Sequence, residues 1–280
     1  MGGKFLASVR AQIRRLGLTT LFVLLLFKSM GQISPPGLDG ARVVSWVALG
    51  FTQTINASWS LTTYAGTSTQ SSLADAAFWR KPAISVLNQE VGYQFSRHWQ
   101  IVVAGSLRTQ SLYEEAPPYE AQQPGVRNEF RTYARLFFRH QQGKVSWAHS
   151  FRPEHRQFFT SEWQHWPTPL QIRLRWKSQL SFPVNTAQTT QLVFANEVLT
   201  SVSQTRMAPA TELRWGAYRF TEDRFSMFVR RLLKKPHVFI DAGVMHQIWW
   251  DTNDQKLRYT AYLSADVLFR NPFSKGQTVK

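Results

Sequence analysis

The sequence predicts an all-β fold, and three observations carry that prediction. In residues 170–182, apolar side chains occupy the even positions and polar or cationic ones the odd positions, and a period of two belongs to a strand. At roughly 3.3 Å per residue this segment reaches about 43 Å, longer than most strands of soluble sheets. Aromatic residues make up 14% of the chain, yet its mean hydropathy is only -0.29, so apolar and polar residues must be interleaved. Together these features predict an antiparallel up-and-down transmembrane β-barrel of about 12 strands (10 to 12).

The start of the chain has the three-part layout of a secretory signal. Residues 1–15 are basic, residues 16–27 are apolar, and the small residues Ser29 and Gly31 follow. The apolar run is shorter than the roughly 20 residues of a membrane-spanning helix. We therefore predict a cleaved signal peptide at 1–31 and, with the barrel, a location in the outer membrane of a Gram-negative bacterium.

After the signal we predict three regions. An irregular lead-in at 32–41 contains Pro35, Pro36, Gly37 and Gly40, which disfavour regular structure. The barrel domain follows at 42–273, and residues 274–280 form a polar tail.

The first four predicted strands form two hairpins. They lie at 43–51, 57–65, 86–95 and 99–107. Residues 66–82 are rich in Ser, Thr and Ala and are predicted to be a loop. Residues 110–126 contain three prolines and three glutamates and are predicted to be a long polar connection.

The central strands show the clearest alternation. They are predicted at 127–140, 145–159 and 170–182. In the first, Phe130 and Leu136 share one face while Glu129 and Arg131 share the other. Because these strands are adjacent, their Arg and Glu side chains can pair across the ladder.

Five further strands complete the predicted set, at 191–202, 211–220, 224–233, 237–250 and 256–269. Short turns are predicted at 221–223 and 251–255. The oxygen-bearing residues Asp251, Asn253 and Asp254 are typical of a turn, so we predict no calcium site there. An even strand count would put both termini in the periplasm, which makes the long connections face inward, against the usual asymmetry.

The charged faces of these strands are the candidate functional site. A charge facing lipid costs about 2 to 4 kcal/mol at the bilayer midplane, so the charged side chains are expected to face the lumen. The predicted network of lumen-facing charges is Glu129, Arg131, Arg135, Arg152, Glu154, Arg156, Arg173, Arg175, Lys177 and Glu197. The alternative is a soluble β-sandwich with these charges in water, which does not explain the strand lengths or the Trp residues at strand ends.

Short motifs in the same region resemble a known family. They are the segment 128–131 (NEFR), the Arg152-x-Glu154-x-Arg156 strand, Arg173-Leu174-Arg175 and the segment 194–197 (FANE). They are similar to a bacterial family catalogued as domain of unknown function 2490, and the similarity covers about residues 43–269. The resemblance implies an outer-membrane β-barrel and transfers no catalytic residue. The sequence departs from the family pattern at Pro153 and in the connections 66–82 and 110–126.

Composition and motif checks disfavour several functional classes. The net charge of +16 is spread along strands without a block of five Lys or Arg residues, so we predict no nucleic-acid partner. The chain has no Cys and no paired-His spacing, so we predict no metal and no cofactor. His149 and Ser150 are candidates for a nucleophile and its base, but neighbours on one strand face opposite ways, and His246 lacks a motif around it.

Three functions stay open. In the first, the charges interlock and fill the lumen, and the barrel has a structural or interaction role, with membrane lipid around it and an unknown protein or glycan partner at loops 66–82 and 110–126. In the second, the cationic excess lines an anion-selective pore. In the third, the barrel is a lipid-modifying hydrolase, although we expect no enzyme.

Overall fold

The computed structural model describes residues 35–38, 40–206, 212–234, 237–251 and 255–274. The predicted signal peptide and all of the predicted tail except Ser274 lie outside these residues, as do Asn253 and Asp254. Every regular element in the described part is a β-strand, which confirms the all-β prediction. Within the same residues, no helix is long and apolar enough to cross a membrane.

The described residues contain twelve strands. They are β1 (Val43–Thr54), β2 (Trp59–Gln70), β3 (Lys81–Gln94), β4 (Trp99–Tyr113), β5 (Ala121–Gln142), β6 (Val145–Thr160), β7 (His165–Pro183), β8 (Thr190–Arg206), β9 (Leu213–Trp215), β10 (Arg219–Leu233), β11 (Val238–Asp251) and β12 (Lys256–Arg270).

Eleven of these strands close into a barrel, and β9 lies outside the ring. Each strand from β1 to β8 pairs antiparallel with the next, β8 pairs antiparallel with β10, and β10 to β12 continue the meander. The ring closes where β1 pairs parallel with β12, from Val43 opposite Ala261 to Thr52 opposite Arg270. The predicted barrel of 10 to 12 strands is confirmed, with one parallel pair because an odd number of alternating strands makes the first and last run the same way.

The two ends of the barrel carry different connections. The end where β1 begins, here called the loop end, carries the connections 71–80, 114–120 and 161–164, and β8 and β11 end there. The opposite turn end carries 55–58, 95–98, 143–144 and 184–189, and β10 ends there. The odd strand count places the start of β1 and the end of β12 at opposite ends, and this removes the conflict over loop asymmetry that an even count created.

The first two predicted connections are too long. Strand β2 continues to Gln70 and β3 begins at Lys81, so only 71–80 lies between strands, and β4 and β5 likewise take residues from 110–126. Small hydroxyl side chains replace the apolar alternation here and still bond across the ladder: Ser45 Oγ lies 2.6 Å from Thr69 Oγ1.

The predicted strand 211–220 and turn 221–223 are wrong. Residues 221–223 lie inside β10, where Thr221 forms a bulge between Phe220 and Glu222. Of the predicted strand 211–220, the short β9 and the first two residues of β10 are strands. Strand β9 pairs with the end of β8, where Gln204 lies opposite Trp215. Acidic residues that are typical of turns fit within this strand because buried arginines compensate the Glu222 carboxylate.

Alternate residues of each barrel strand are buried. On β5 the buried positions include Glu129, Arg131 and Tyr133, whereas Phe130 and Leu136 are exposed. A closed sheet is a single layer, so side chains that it buries point into the barrel. A small apolar cluster lies inside near the loop end and contains Leu38, Ala41, Val44, Ala83, Ile84, Met245 and Tyr262.

Candidate functional site

Glu129 is the first centre of a charged network inside the barrel. The Arg131 Nε donates to its carboxylate at 2.8 Å. Arg156 donates through Nε at 2.7 Å and through Nη2 at 2.8 Å, a bidentate pair. Arg108 Nη1 lies 3.7 Å away. Three arginine side chains from β4, β5 and β6 thus meet around one carboxylate.

Glu154 on β6 is the second centre, and its side chain is fully buried. Arg175 Nη1 donates to its carboxylate at 3.0 Å. Arg152 forms a close ion pair with it, and Arg131 Nη1 lies 3.9 Å away. Because Arg131 contacts both Glu129 and Glu154, the two centres form one network.

The network continues across β7, β8 and β10. Arg175 donates to Glu197 through Nε at 3.2 Å and Nη2 at 2.7 Å. Arg224 Nη1 lies 3.4 Å from Glu197 and also pairs closely with Glu222. Arg173 Nη1 lies 3.2 Å from Glu222. Ion pairs therefore run without interruption from Arg108 on β4 to Arg173 on β7 by way of Glu222 on β10.

Eight of the ten predicted network residues lie in this connected set. They are Glu129, Arg131, Arg152, Glu154, Arg156, Arg173, Arg175 and Glu197. Arg135 instead pairs with Glu90 at 3.5 Å, and Glu90 also accepts the Tyr133 hydroxyl at 2.5 Å. Lys177 lies opposite Glu197 and Ser150 in the sheet register.

Sequence reasoning left Arg108, Glu222 and Arg224 out of the network. Arg108 directly follows the predicted strand 99–107, Arg224 begins the predicted strand 224–233, and Glu222 was placed in a turn. A usable signal existed, because Glu222 and Arg224 have the same spacing of two as Glu129 and Arg131. That spacing puts two opposite charges on one face of a strand.

The lead-in segment crosses the barrel interior at the level of the network. Arg224 Nη1 donates to the Pro35 carbonyl at 3.3 Å, and Arg108 Nη2 donates to the Gly37 carbonyl at 3.1 Å. The Leu38 amide donates to the Tyr262 hydroxyl at 2.7 Å. A Cβ on Gly37 would overlap the Arg224 guanidinium and the Glu222 carboxylate, so only glycine fits there.

Strands β4 and β10 lie on opposite walls, five strands apart in one direction around the ring and six in the other. Arg108 from one wall and Arg224 from the other therefore hold the same short stretch of backbone, which spans the interior between them.

Several polar atoms of the network have no hydrogen-bond partner among the described residues. They are Arg108 Nε, Arg152 Nε, Arg173 Nε and Glu154 Oε2. Buried polar groups usually bond to protein or water, so an acceptor beside the three Nε atoms, or a donor beside Glu154 Oε2, would stabilise the network. Within the described residues, no group of three His, Asp or Glu side chains could hold a metal ion.

His149 and Ser150 do not come together, and they face opposite sides of the sheet, as the alternation along a strand predicts. His149 faces outward, and its Nδ1 lies 3.0 Å from Ser178 Oγ on the next strand. Ser150 lies on the inward parity of β6. His246 faces outward and stacks on Tyr259, with ring centroids 5.5 Å apart. Among the described residues His149 forms no second hydrogen bond that would orient its ring.

At the loop end, the start of β3 contacts the end of β4 and the connection 114–120, where Lys81 Nζ donates to the Tyr119 carbonyl at 2.5 Å. The Tyr113 hydroxyl donates to the Pro82 carbonyl at 3.0 Å, and Lys81 Nζ lies 4.7 Å from the Tyr113 ring centre. Within 71–80, the Ala77 amide and the Ser72 hydroxyl donate to Asp75, each at 2.9 Å, and hold the pKa of that carboxyl below its usual value. Residues 71–80 are thus ordered by bonds to Asp75, and residues 114–120 are held to β3 through Tyr119.

Fold and site define the chain as a closed β-barrel protein with a buried arginine–glutamate network. The sequence model of a family described as "Protein of unknown function (DUF2490)" matches residues 44–258. The chain belongs to this family, which confirms the resemblance found in the sequence. No curated protein matches the chain.

Proposed function

We propose that this protein is an integral outer-membrane β-barrel of a Gram-negative bacterium, with an interior closed by charge pairs and a structural or interaction role. The observation that carries the proposal is the apolar outer face of the barrel. The exposed apolar side chains on the strands include Val47, Leu49, Leu87, Val103, Leu107, Met227, Val229, Val244 and Leu263. Soluble monomers rarely expose a continuous apolar surface of this extent.

The distance between outer-face aromatic residues fits a bilayer. On β6, Trp147 and Phe159 share the outward parity near opposite ends of the strand. Their separation is about 40 Å along the strand at roughly 3.3 Å per residue, or about 30 Å across a bilayer for a tilt near 40°. Aromatic girdles at such a spacing are typical of outer-membrane barrels. Because the longer connections lie at the loop end, we assign that end to the cell exterior and the turn end to the periplasm.

The interior contacts favour a closed barrel over a pore. Eleven strands spaced about 4.8 Å apart and tilted near 40° enclose a ring about 22 Å across between backbones. The network and residues 35–38 bridge this width, since Arg108 and Arg224 bind the same backbone from opposite walls. Function is then expected at the loop end, where the connections 71–80 and 114–120 offer a surface to a protein or glycan.

A charge scan of one hairpin tests the membrane location. Leu49 lies in the middle of β1 and is 57% exposed, and Ile55 lies in the following turn and is 61% exposed. In a bilayer we expect Leu49→Lys to destabilise the barrel by about 2 to 4 kcal/mol and Ile55→Lys to have little effect. In a soluble barrel both changes would stay within about 0.5 kcal/mol. Urea unfolding of the protein in lipid vesicles measures the difference, and equal small effects would contradict the membrane proposal.

An anion-selective pore is the second candidate. It is favoured by the excess of arginine over glutamate in the network, because a cationic wall attracts anions. The two candidates share the fold and differ in whether ions pass, which a conductance measurement decides.

A further inference from the structure

A polar cavity opens beside the network at the loop end. It has a volume of about 260 Å³ and lies where the bulge at Phe220 and Glu222 separates β10 from β8. Its lining includes Gln171, Arg173, Ser203, Arg219, Glu222 and Trp249. Drug-sized ligands occupy roughly 300 to 1,000 Å³, so this cavity suits a smaller polar molecule.

Arg173 is the cationic wall of the cavity. The residue is 9% exposed, and one nitrogen, Nη1, lies 3.2 Å from Glu222. Its Nε has no hydrogen-bond partner among the described residues. A buried guanidinium nitrogen without a partner costs free energy that a bound acceptor would recover. Arg219 also lines the cavity, and the described residues give it no ion pair.

The charge of the network points to the same kind of ligand. Its arginines are Arg108, Arg131, Arg152, Arg156, Arg173, Arg175 and Arg224, and its glutamates are Glu129, Glu154, Glu197 and Glu222. Seven cations face four anions within the described residues. Two other buried acids have arginines of their own: Arg135 lies 3.5 Å from Glu90, and Arg230 lies 2.6 Å from Asp241.

We propose that this cavity binds the phosphate group of a small polar molecule, held by Arg173 and Arg219. Buried charges are stable when they are paired, and a phosphate dianion offsets most of the excess of positive charge, which a single carboxylate does not. The guanidinium fork of Arg173 matches phosphate oxygens. Beside it the Gln171 amide donates to Ser203 Oγ at 2.9 Å, which leaves the Ser203 hydroxyl proton to bond an oxygen of a sugar-sized body. The inference does not depend on the membrane location, because the cavity belongs to the barrel itself.

Two sources supply such a group, a soluble sugar phosphate or the phosphorylated sugar headgroup of a lipid. The full-length protein in detergent is titrated with glucose 6-phosphate and, separately, with micelles of a phosphorylated glucosamine lipid or its dephosphorylated form. Calorimetry and the fluorescence of Trp249 and Trp250, which also lines the cavity, report binding. Binding of the soluble probe alone identifies a soluble ligand, and binding of the phosphorylated lipid alone identifies a headgroup.

Variants test the assignment of the two arginines. Arg173→Gln and Arg219→Gln are expected to weaken binding about tenfold or more, because each removes a charged hydrogen bond. Arg214→Gln is the matched control: Arg214 is on neighbouring β9, exposed, and paired with Glu212 at 3.3 Å. If Arg173→Gln does not fold, the exposed Arg219 carries the test. Binding of neither probe, or equal binding by all variants, overturns the proposal.

Discussion

At the scale of single residues, the network is stable only as a set. Glu154 is fully buried beside the guanidinium groups of Arg131, Arg152 and Arg175. Removing one partner of a buried ion pair leaves the others charged and desolvated, which costs more than the pair contributed. The same argument explains why a sheet with this many inward arginines needs glutamates on neighbouring strands.

Glu154→Gln keeps the shape of the side chain and removes its charge. We expect a loss of about 3 to 5 kcal/mol in the free energy of unfolding, because three arginines lose their shared carboxylate. Urea unfolding in detergent measures this loss. Glu212→Gln is the control, since Glu212 is 68% exposed in its pair with Arg214 and such pairs contribute about 0 to 1 kcal/mol. A loss below 1 kcal/mol for Glu154→Gln would contradict a paired interior.

We predict that the hydrogen-bonded pair of His149 and Ser178 is not catalytic. Among the described residues no third group forms a hydrogen bond that orients His149. A serine and a histidine without such a group lack a correctly oriented general base. The purified protein is expected to release no fatty acid from phospholipid vesicles, and Ser178→Ala and His149→Ala should behave like the parent protein. Lipid release that is lost in both variants would establish a hydrolase instead.

The candidate site could be predicted where the alternation is regular. Glu129, Arg131 and Arg175 follow from period two, because the pattern gives the face of each side chain. The partner of Arg173 could not be predicted. Glu222 is distant in sequence and reaches Arg173 only because β10 pairs directly with β8, while β9 stays outside the ring. The lead-in contacts likewise depend on where residues 35–38 lie in the closed ring, which no local pattern specifies.

At the scale of elements, strand ends were harder to predict than strand centres. Strands β6, β7 and β12 were found within a few residues at most ends, since apolar and polar side chains alternate along them. Strand β2 was cut short because Thr67, Ser68 and Thr69 are small and polar on both faces. Hydrogen bonds of hydroxyl groups hold the strands together there, from Ser45 to Thr69 and from the Ile84 amide to Ser68 Oγ, and these depend on the partner strand.

Close strand packing gives a prediction for two glycines. A Cβ on Gly243 of β11 would overlap the Met227 carbonyl and the Phe228 Cα, whereas a Cβ on Gly105 of β4 meets nothing within 4 Å. We expect Gly243→Ala to destabilise the barrel by about 1 to 3 kcal/mol, because backbone atoms must move. Gly105→Ala, also within a strand, should be neutral or slightly stabilising. Urea unfolding of both variants checks the contrast, and equal effects would count against the packing of β10 on β11.

At the scale of the whole molecule, the barrel was predicted, but the pair of strands that closes it could not be. The parallel pairing of β1 with β12 follows from an odd number of strands in the ring. That count depends on whether residues 211–220 form a barrel strand. Their sequence pattern resembles that of the barrel strands, so they were predicted as one. The structure instead keeps β9 beside the end of β8, where it covers an edge that would otherwise lack a partner.

The closed interior predicts how the whole barrel behaves toward ions. Residues 35–38 lie between Arg108 and Arg224 on opposite walls, and the network fills the same level, so we expect no steady current across a planar bilayer. As the control, flotation of vesicles made from the same lipid and carrying the protein confirms that the protein is inserted. The double variant Arg173→Gln and Arg175→Gln removes two cations and should remain silent as well. Steady anion-selective currents in the parent protein that lose selectivity in this variant would show a water-filled cationic pore and refute the closed interior.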